Sequence, residues 1–187
     1  IEGLESQGRI KNLEIDNELE TETWWDLGMN DSTVIVFVQR FKEEVRIIDC
    51  YENSGEGLDH YMNIIDSKPY NYSKHIAPHD IRVRELGTNK SRWETATELG
   101  LEFDIAPKLR VEDGTEQSRR MLPKCWFHKS NCKKMVEALK SYCKRWDEKN
   151  NCFKNRPLHN WAAHYADAFS YGSIVEPINR SDWKKPI

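Results

Sequence analysis

Polar and β-favouring residues alternate over Thr21–Leu27 (TETWWDL) and stop at Gly28, the period of a half-buried strand. After a turn, MNDS, the run Thr33–Gln39 (TVIVFVQ) predicts a strong second strand, and Val45–Tyr51 (VRIIDCY) a third. Short connections between the three make an antiparallel meander. The period then changes. Leu58, Tyr61, Met62, Ile64 and Ile65 recur at helical spacing and predict a helix over 57–66, opened by Gly55 and Gly57 and closed by Pro69. Ser73–Ala77 is a short strand ending at Pro78-His79-Asp80. Arg92–Leu99 is a helix stopped by Gly100, Glu102–Ala106 a fifth strand, and 113–121 a helix. Over 130–146, Cys132, Met135, Val136, Leu139, Tyr142, Cys143 and Trp146 keep one apolar stripe, with Ser130 or Asn131 as N-cap. The stretch DEKNNCFKNRP reads as a polar loop, and a last helix covers about 159–172. Residues 1–19 hold no sustained period and read as a linker or arm entering the domain that fills 20–187. A meander followed by alternating helices and strands predicts an α/β fold with a mixed central sheet flanked by helices. The right-handed crossover rule places strand 73–77 parallel to strand 21–27.

Composition narrows this picture. A length of 187 residues suits one domain, and seven Trp, seven Tyr and six Phe argue against disorder. No run of 18 apolar residues occurs, so no transmembrane helix and no membrane partner are expected, and no secretory segment is recognisable. The first residue is Ile, so the chain is expected to be a fragment or processed product of a longer one. Five Cys, an odd number without a secretory segment, are expected to be reduced thiols. Cys125, His128 and Cys132 superficially resemble metal ligands. They form no CxxC pair, however, and Cys132 falls on the apolar stripe, which disfavours zinc.

The carboxylates are more informative. Asp26 ends the first strand, Asp80 follows the fourth, and Asp167 lies on the last helix with His164 three residues earlier on the same face. Adjacent, parallel strands would bring Asp26 and Asp80 to one end of the sheet, and a helix packed there would add Asp167. Converging carboxylates repel and raise each other's pKa, and a divalent cation supplies a reason to gather them. Hard oxygen ligands suggest magnesium or manganese. Two such ions about 3.5–4 Å apart would suit phosphodiester hydrolysis. The plain alternatives stay open: each Asp can serve as a turn, cap or exposed helix residue. Asp49 and Glu52 are weaker candidates for the same rim, with ordinary strand-end charge as the favoured reading. A net charge of −3 departs from the basic character of a simple nucleic-acid binder, although clustered catalytic carboxylates would lower the charge of a nuclease. Arg82, Arg84, Lys90 and Arg92 follow Asp80 and are the preferred phosphate contacts. Arg119, Arg120 and Lys124 form a second basic group, and Lys133 and Lys134 a third; each group alone also suits a solvated face. The Trp residues read mostly as core. No GxxxxGK[ST] sequence is present, which excludes ATP hydrolysis by a P-loop within these residues.

The segments WWDLGMNDST, HIAPHDI and LHNWAAHYADAFSYG, in this order, resemble the nuclease domain of the large terminase subunit of tailed bacteriophages. EFDIAPK, KKMVEALKSYCKRWDEK and NRPLHNW extend the resemblance over about residues 20–172. It implies a ribonuclease H-like fold, with which the element order is compatible. It also implies an endonuclease that cuts concatemeric double-stranded DNA during genome packaging. The family's acidic metal ligands fall on Asp26, Asp80 and Asp167, with Asp31 at a further acidic turn position and His164 at the family's histidine. Ala163 stands where Ser is often found, and Ser170 where Arg is common. The implied partners are DNA, an ATPase domain preceding residues 1–19 in the parent chain, a portal protein and a small terminase subunit. The implied location is the cytoplasm of an infected bacterial host. Two rival readings remain: another ribonuclease H-like nuclease of resolvase or transposase type, and a noncatalytic packaging or portal-docking module.

Overall fold

A computed structural model describes residues 1–28, 32–84 and 89–175, with the side chains of Asp147, Lys154, Asn155 and Arg156 outside the description. Asp31 also lies outside the described residues. In chain order the helices are α1 (Glu2–Ser6), α2 (Leu58–Asp66), α3 (Arg92–Glu98), α4 (Val111–Met121), α5 (Lys133–Ser141) and α6 (Trp161–Ile174). The strands are β1 (Ile10–Lys11), β2 (Glu20–Asp26), β3 (Ser32–Phe41), β4 (Glu44–Ser54), β5 (Asn71–Ala77), β6 (Phe103–Ile105), β7 (Cys125–His128), β8 (Lys144–Asp147) and β9 (Cys152–Pro157).

Among the described residues, seven strands form one mixed sheet in the order β1-β7-β4-β3-β2-β5-β6. β3 is antiparallel to both neighbours, and the remaining pairs are parallel. β3 sits at the centre, and its residues from Thr33 to Gln39 are buried, as a strand covered on both faces must be. The expected parallel pairing of β5 with β2 is present, from Glu20↔Asn71 to Trp24↔Ile76.

Alternation along β2 feeds two cores. Trp24 points into one with Val34, Val36, Phe127, Met135, Tyr165 and Phe169, beneath α4, α5 and α6. Trp25 points into the other with Ile35, Phe37, Tyr61, Ile65 and Phe103, beneath α2 and α3. Both indoles are fully buried, and each donates its N–H to a neighbour two residues back: Trp24 to Glu22, Trp25 to Thr23.

The structure departs from the sequence expectation in four places. Residues 1–11 are more than a linker: α1 buries Leu4, and β1 adds an edge strand parallel to β7. CWFH at 125–128 forms β7, a strand too short for periodicity to reveal. α5 ends at Ser141, because 144–147 pair with 152–157 as a separate hairpin where a helix end and a loop are expected. The N-cap of α5 is Cys132 with no side-chain cap bond. Ser130 instead donates to Asn12, and the Asn131 amide donates to Ile48 O.

Candidate active site

The site stands at the carboxyl ends of β2 and β5, where open α/β sheets place their ligands. Asp26 is the last residue of β2 and shares the face of Glu22 and Trp24, toward α6. Asp80 follows β5 in a 3₁₀ turn, His79–Arg82, entered through an extended Pro78. α6 begins at Asn160, whose side chain accepts the Ala162 N–H at 3.1 Å. The buried face of α6 is lined with small residues, Ala162, Ala163, Ala166, Ala168 and Gly172, which let it lie close to the sheet. A Cβ on Gly172 would stand 1.8 Å from the Trp24 ring, so only glycine permits this approach.

That approach carries His164, Asp167 and Tyr171 to the strand ends. His164 Nδ1 lies 2.9 Å from Asp26 Oδ2, with side-chain exposures of 12% and 14%. With Asp26 ionised, the imidazole must donate, which assigns the proton to Nδ1. Burial raises the Asp26 pKa and Asp80 adds to the rise, while His164 and His159 oppose it. The Asp167 carboxyl is pushed up to about 7, first by burial and then by the charge of Asp26, again against the two histidines. The Tyr171 phenol is held protonated by burial and by Asp26, Asp167 and Asp80 together. The three carboxylates expected from the sequence therefore share one electrostatic neighbourhood. Asp80 is its exposed member. Among the described residues, no three His, Cys, Asp or Glu side chains form a finished metal cage.

A cavity of about 570 Å³ opens beside Asp167, lined among others by His79, Arg119, Tyr142, Ser170 and Tyr171. Tyr171 and His159 are members of the site that the sequence reading does not name. The signal for Tyr171 is its position seven residues after His164 on the same helical face. His159 lies just before α6, its ring 5.6 Å from that of His164.

The basic group after Asp80 is drawn into its own domain. Arg82 lies over the Trp93 ring at 5.5 Å, Arg84 faces Glu94 at 3.7 Å, and Lys90 pairs with Glu98 at 2.8 Å. Arg92 donates to Leu27 O at 2.6 Å and so secures the backbone just past Asp26. Asp49 is held by Lys68 and Tyr70 away from the site. Glu52 is bound by Lys134 and Tyr165, one strand beyond the partner of Asp26. Burial pushes the Cys125 thiol up to about 12 and the Cys132 thiol higher, and both contact backbone carbonyls. Both belong to the core beneath the α5–α6 face.

No protein-family model matches the sequence, and no curated protein does either. Solved structures do. The large terminase of a thermophilic bacteriophage, in complex with ADP, matches with a TM-score of 0.67 at 16% identity over 88% of this chain. The P22 large terminase nuclease domain matches with a TM-score of 0.64 at 19% identity, over 89% of this chain and 87% of that one. The nuclease domain of the SPP1 large terminase, with bound Mn, matches at 0.59 and 17%, over 81% and 84%. The chain has the ribonuclease H-like fold of large terminase nuclease domains. It spans 42% of the ADP-bound terminase.

Proposed function

We propose that this chain is the nuclease domain of a large terminase and hydrolyses phosphodiester bonds of concatemeric double-stranded viral DNA during genome packaging. The observation that carries the reading is the meeting of Asp26 and Asp167, 141 positions apart in the sequence, at the ligand-binding end of a terminase-type sheet. Two largely desolvated carboxylates, the charge of Asp26 hindering the ionisation of Asp167, are costly in an isolated fold and useful to a cation-dependent enzyme.

The donor set fits a hard divalent cation, magnesium or manganese: the ligands are aspartate oxygens. Asp26, Asp80 and Asp167 would hold two such ions. When bound, they supply an activated water and charge for the leaving oxygen. The protein's own contributions are positional. His164 orients the Asp26 carboxylate through one oxygen, as outer partners of metal ligands do. Arg92 fixes the chain after Asp26, and the protonated Tyr171 phenol can donate to a phosphate oxygen. The reading extends to an ATPase domain in the same parent chain, to portal and small-subunit partners, and to the cytoplasm of an infected bacterial host.

Plasmid cleavage tests this reading. Supercoiled DNA should be nicked and linearised in magnesium or manganese, without ATP, and chelator should stop the reaction. Asp26→Asn, Asp80→Asn and Asp167→Asn should each lower cleavage at least about a hundredfold, and the triple variant little further, because ligands of one site act as a unit. Wild-type cleavage by the folded triple variant would end the proposal. Inactivity of the wild-type protein in every divalent metal would favour a noncatalytic packaging module.

A further inference from the structure

Residues 144–157 stand outside the main sheet. β8 and β9 pair with each other as a separate two-stranded sheet, and Leu158 N–H donates to Cys143 O at the hairpin's base. Trp146 lies directly opposite Phe153, and their rings meet edge to face with centroids 4.8 Å apart. Neither belongs to a core cluster, and they are 46% and 60% exposed. Two large rings therefore hold each other in register while leaving much of their surface in water.

The hairpin also differs in charge from the rest of the chain. Residues 144–157 carry five Lys or Arg against two acidic residues, whereas elsewhere acids outnumber bases 29 to 23. Lys144, Arg145 and Lys149 are exposed. Lys144 and Pro157, at the open end, line the same cavity as Asp167. A basic ribbon with an aromatic ridge thus leads to the carboxylates on an otherwise acidic domain.

The geometry points to a grip for unpaired nucleotides: the Trp146–Phe153 ridge stacks on bases that have left the duplex near the scissile phosphate, while the flanking cations hold the backbone. This rests on the nuclease reading above for the identity of the polymer. Aromatic rings need base faces, which a duplex hides within its stack, and single strands present them. Cations along the same ribbon match phosphates and would do nothing for a purely apolar protein partner. The consequence is a preference for DNA that is opened or frayed beside the cut.

Fluorescence anisotropy in chelator tests the grip without cleavage. The probes are a blunt duplex, the same duplex with an unpaired tail, and one whose tail consists of abasic sites. Wild-type protein should bind the base-bearing tail about tenfold or more tighter than the abasic tail, because stacking is lost while phosphates remain. The variant W146A/F153A should bind all three alike, and W146F/F153Y should recover the preference. Equal affinity of wild-type protein for base-bearing and abasic tails overturns the inference, whatever the stability of the variants. So does an unchanged preference in W146A/F153A. A chain that discriminates the tails and cuts nothing would defeat the nuclease reading and leave the grip standing.

Discussion

At the scale of single residues, Asp167 carries the clearest pH signature. Its folded pKa of about 7 lies above the ordinary 3.8, so the folded state binds the proton more tightly than the unfolded chain. The favourable contribution is complete below the unfolded value and is lost as pH rises through about 7. In chelator at pH 8, Asp167→Asn should therefore raise the melting temperature, by at least about 2 °C for a domain of this size. A drop would instead mark Asp167 as a structural partner. His75 has the opposite sign. Thr23 Oγ1 accepts the Trp25 N–H at 2.7 Å and lies 2.6 Å from His75 Nδ1, inside a polar chain closed off from water. Burial lowers the His75 pKa to about 4. Stability should fall as pH drops from 6.5 towards 4, by at most about 3 kcal/mol. Urea unfolding at pH 7 and pH 4.5 in the Asp167→Asn background reads this directly, and His75→Phe should shrink the difference. The meeting of Asp26, Asp80 and Asp167 needs α6 packed on β2, but as two strand-end positions and one helix position the three are legible in the sequence. Tyr171 is not, since a tyrosine on an apolar helix reads as core. The charges of Arg82, Arg84 and Lys90 are legible but their partners are not, because Trp93, Glu94 and Glu98 reach them only once α3 has packed.

At the scale of elements, the site depends on how closely α6 approaches β2. Gly172→Ala places a methyl group inside the Trp24 ring, which is itself fully buried and unable to retreat. The expected cost is about 1–3 kcal/mol, with reduced cleavage below the melting transition because Asp167 rides on the same helix. Gly114→Ala on α4 is the control. Its Cβ would meet the Ser170 hydroxyl at 2.6 Å, the mobile end of a small side chain. The gain in helix propensity, up to about 1 kcal/mol, should leave that variant as stable as wild type or more so. Melting curves of the two variants separate backbone–ring contact from a general intolerance of added bulk. Periodicity found α6 and β2 but not this contact, and it failed where two structures share one pattern. Tyr142, Cys143 and Trp146 continue the stripe of α5, yet β8 takes residues 144–147 because a strand partner is available at 152–157. Similarly, β1 and β7 are short and owe their state to pairing with each other and with β4 rather than to local pattern.

For the whole molecule, the first eleven residues decide whether the sheet ends safely. β1 covers the edge of β7: Phe127 N–H donates to Arg9 O and Lys129 N–H to Lys11 O, each at 2.9 Å. Leu4, 6% exposed, joins the core under α5 and α6, and Ile1 and Ile10 pack against it. Arg9 and Lys11 lie over the Trp126 ring, Arg9 donates to Pro123 O at 2.6 Å, and Lys140 reaches Glu5 at 2.6 Å. Deleting residues 1–11 should remove at least about 3 kcal/mol, since burial of one Leu alone is worth about 1.5–3 kcal/mol and two further isoleucines go with it. It should also expose a hydrogen-bonding strand edge, which invites pairing with a second copy. Light scattering after size exclusion should then show more dimers or larger species than the 187-residue chain forms, with a lower melting temperature. Asp26 should keep its place, because β1 stands four strands from β2, about 19 Å across the sheet, whereas the cavity beside Asp167 loses Ile1 from its wall, so cleavage per folded molecule should fall only in part. A truncated chain that melts with the full one would reduce these residues to a tether. One that stays folded but loses cleavage would couple residues 1–11 to the site through Ile1, which lines the cavity beside Asp167, and Leu4, which shares a core with Trp24 and Phe169.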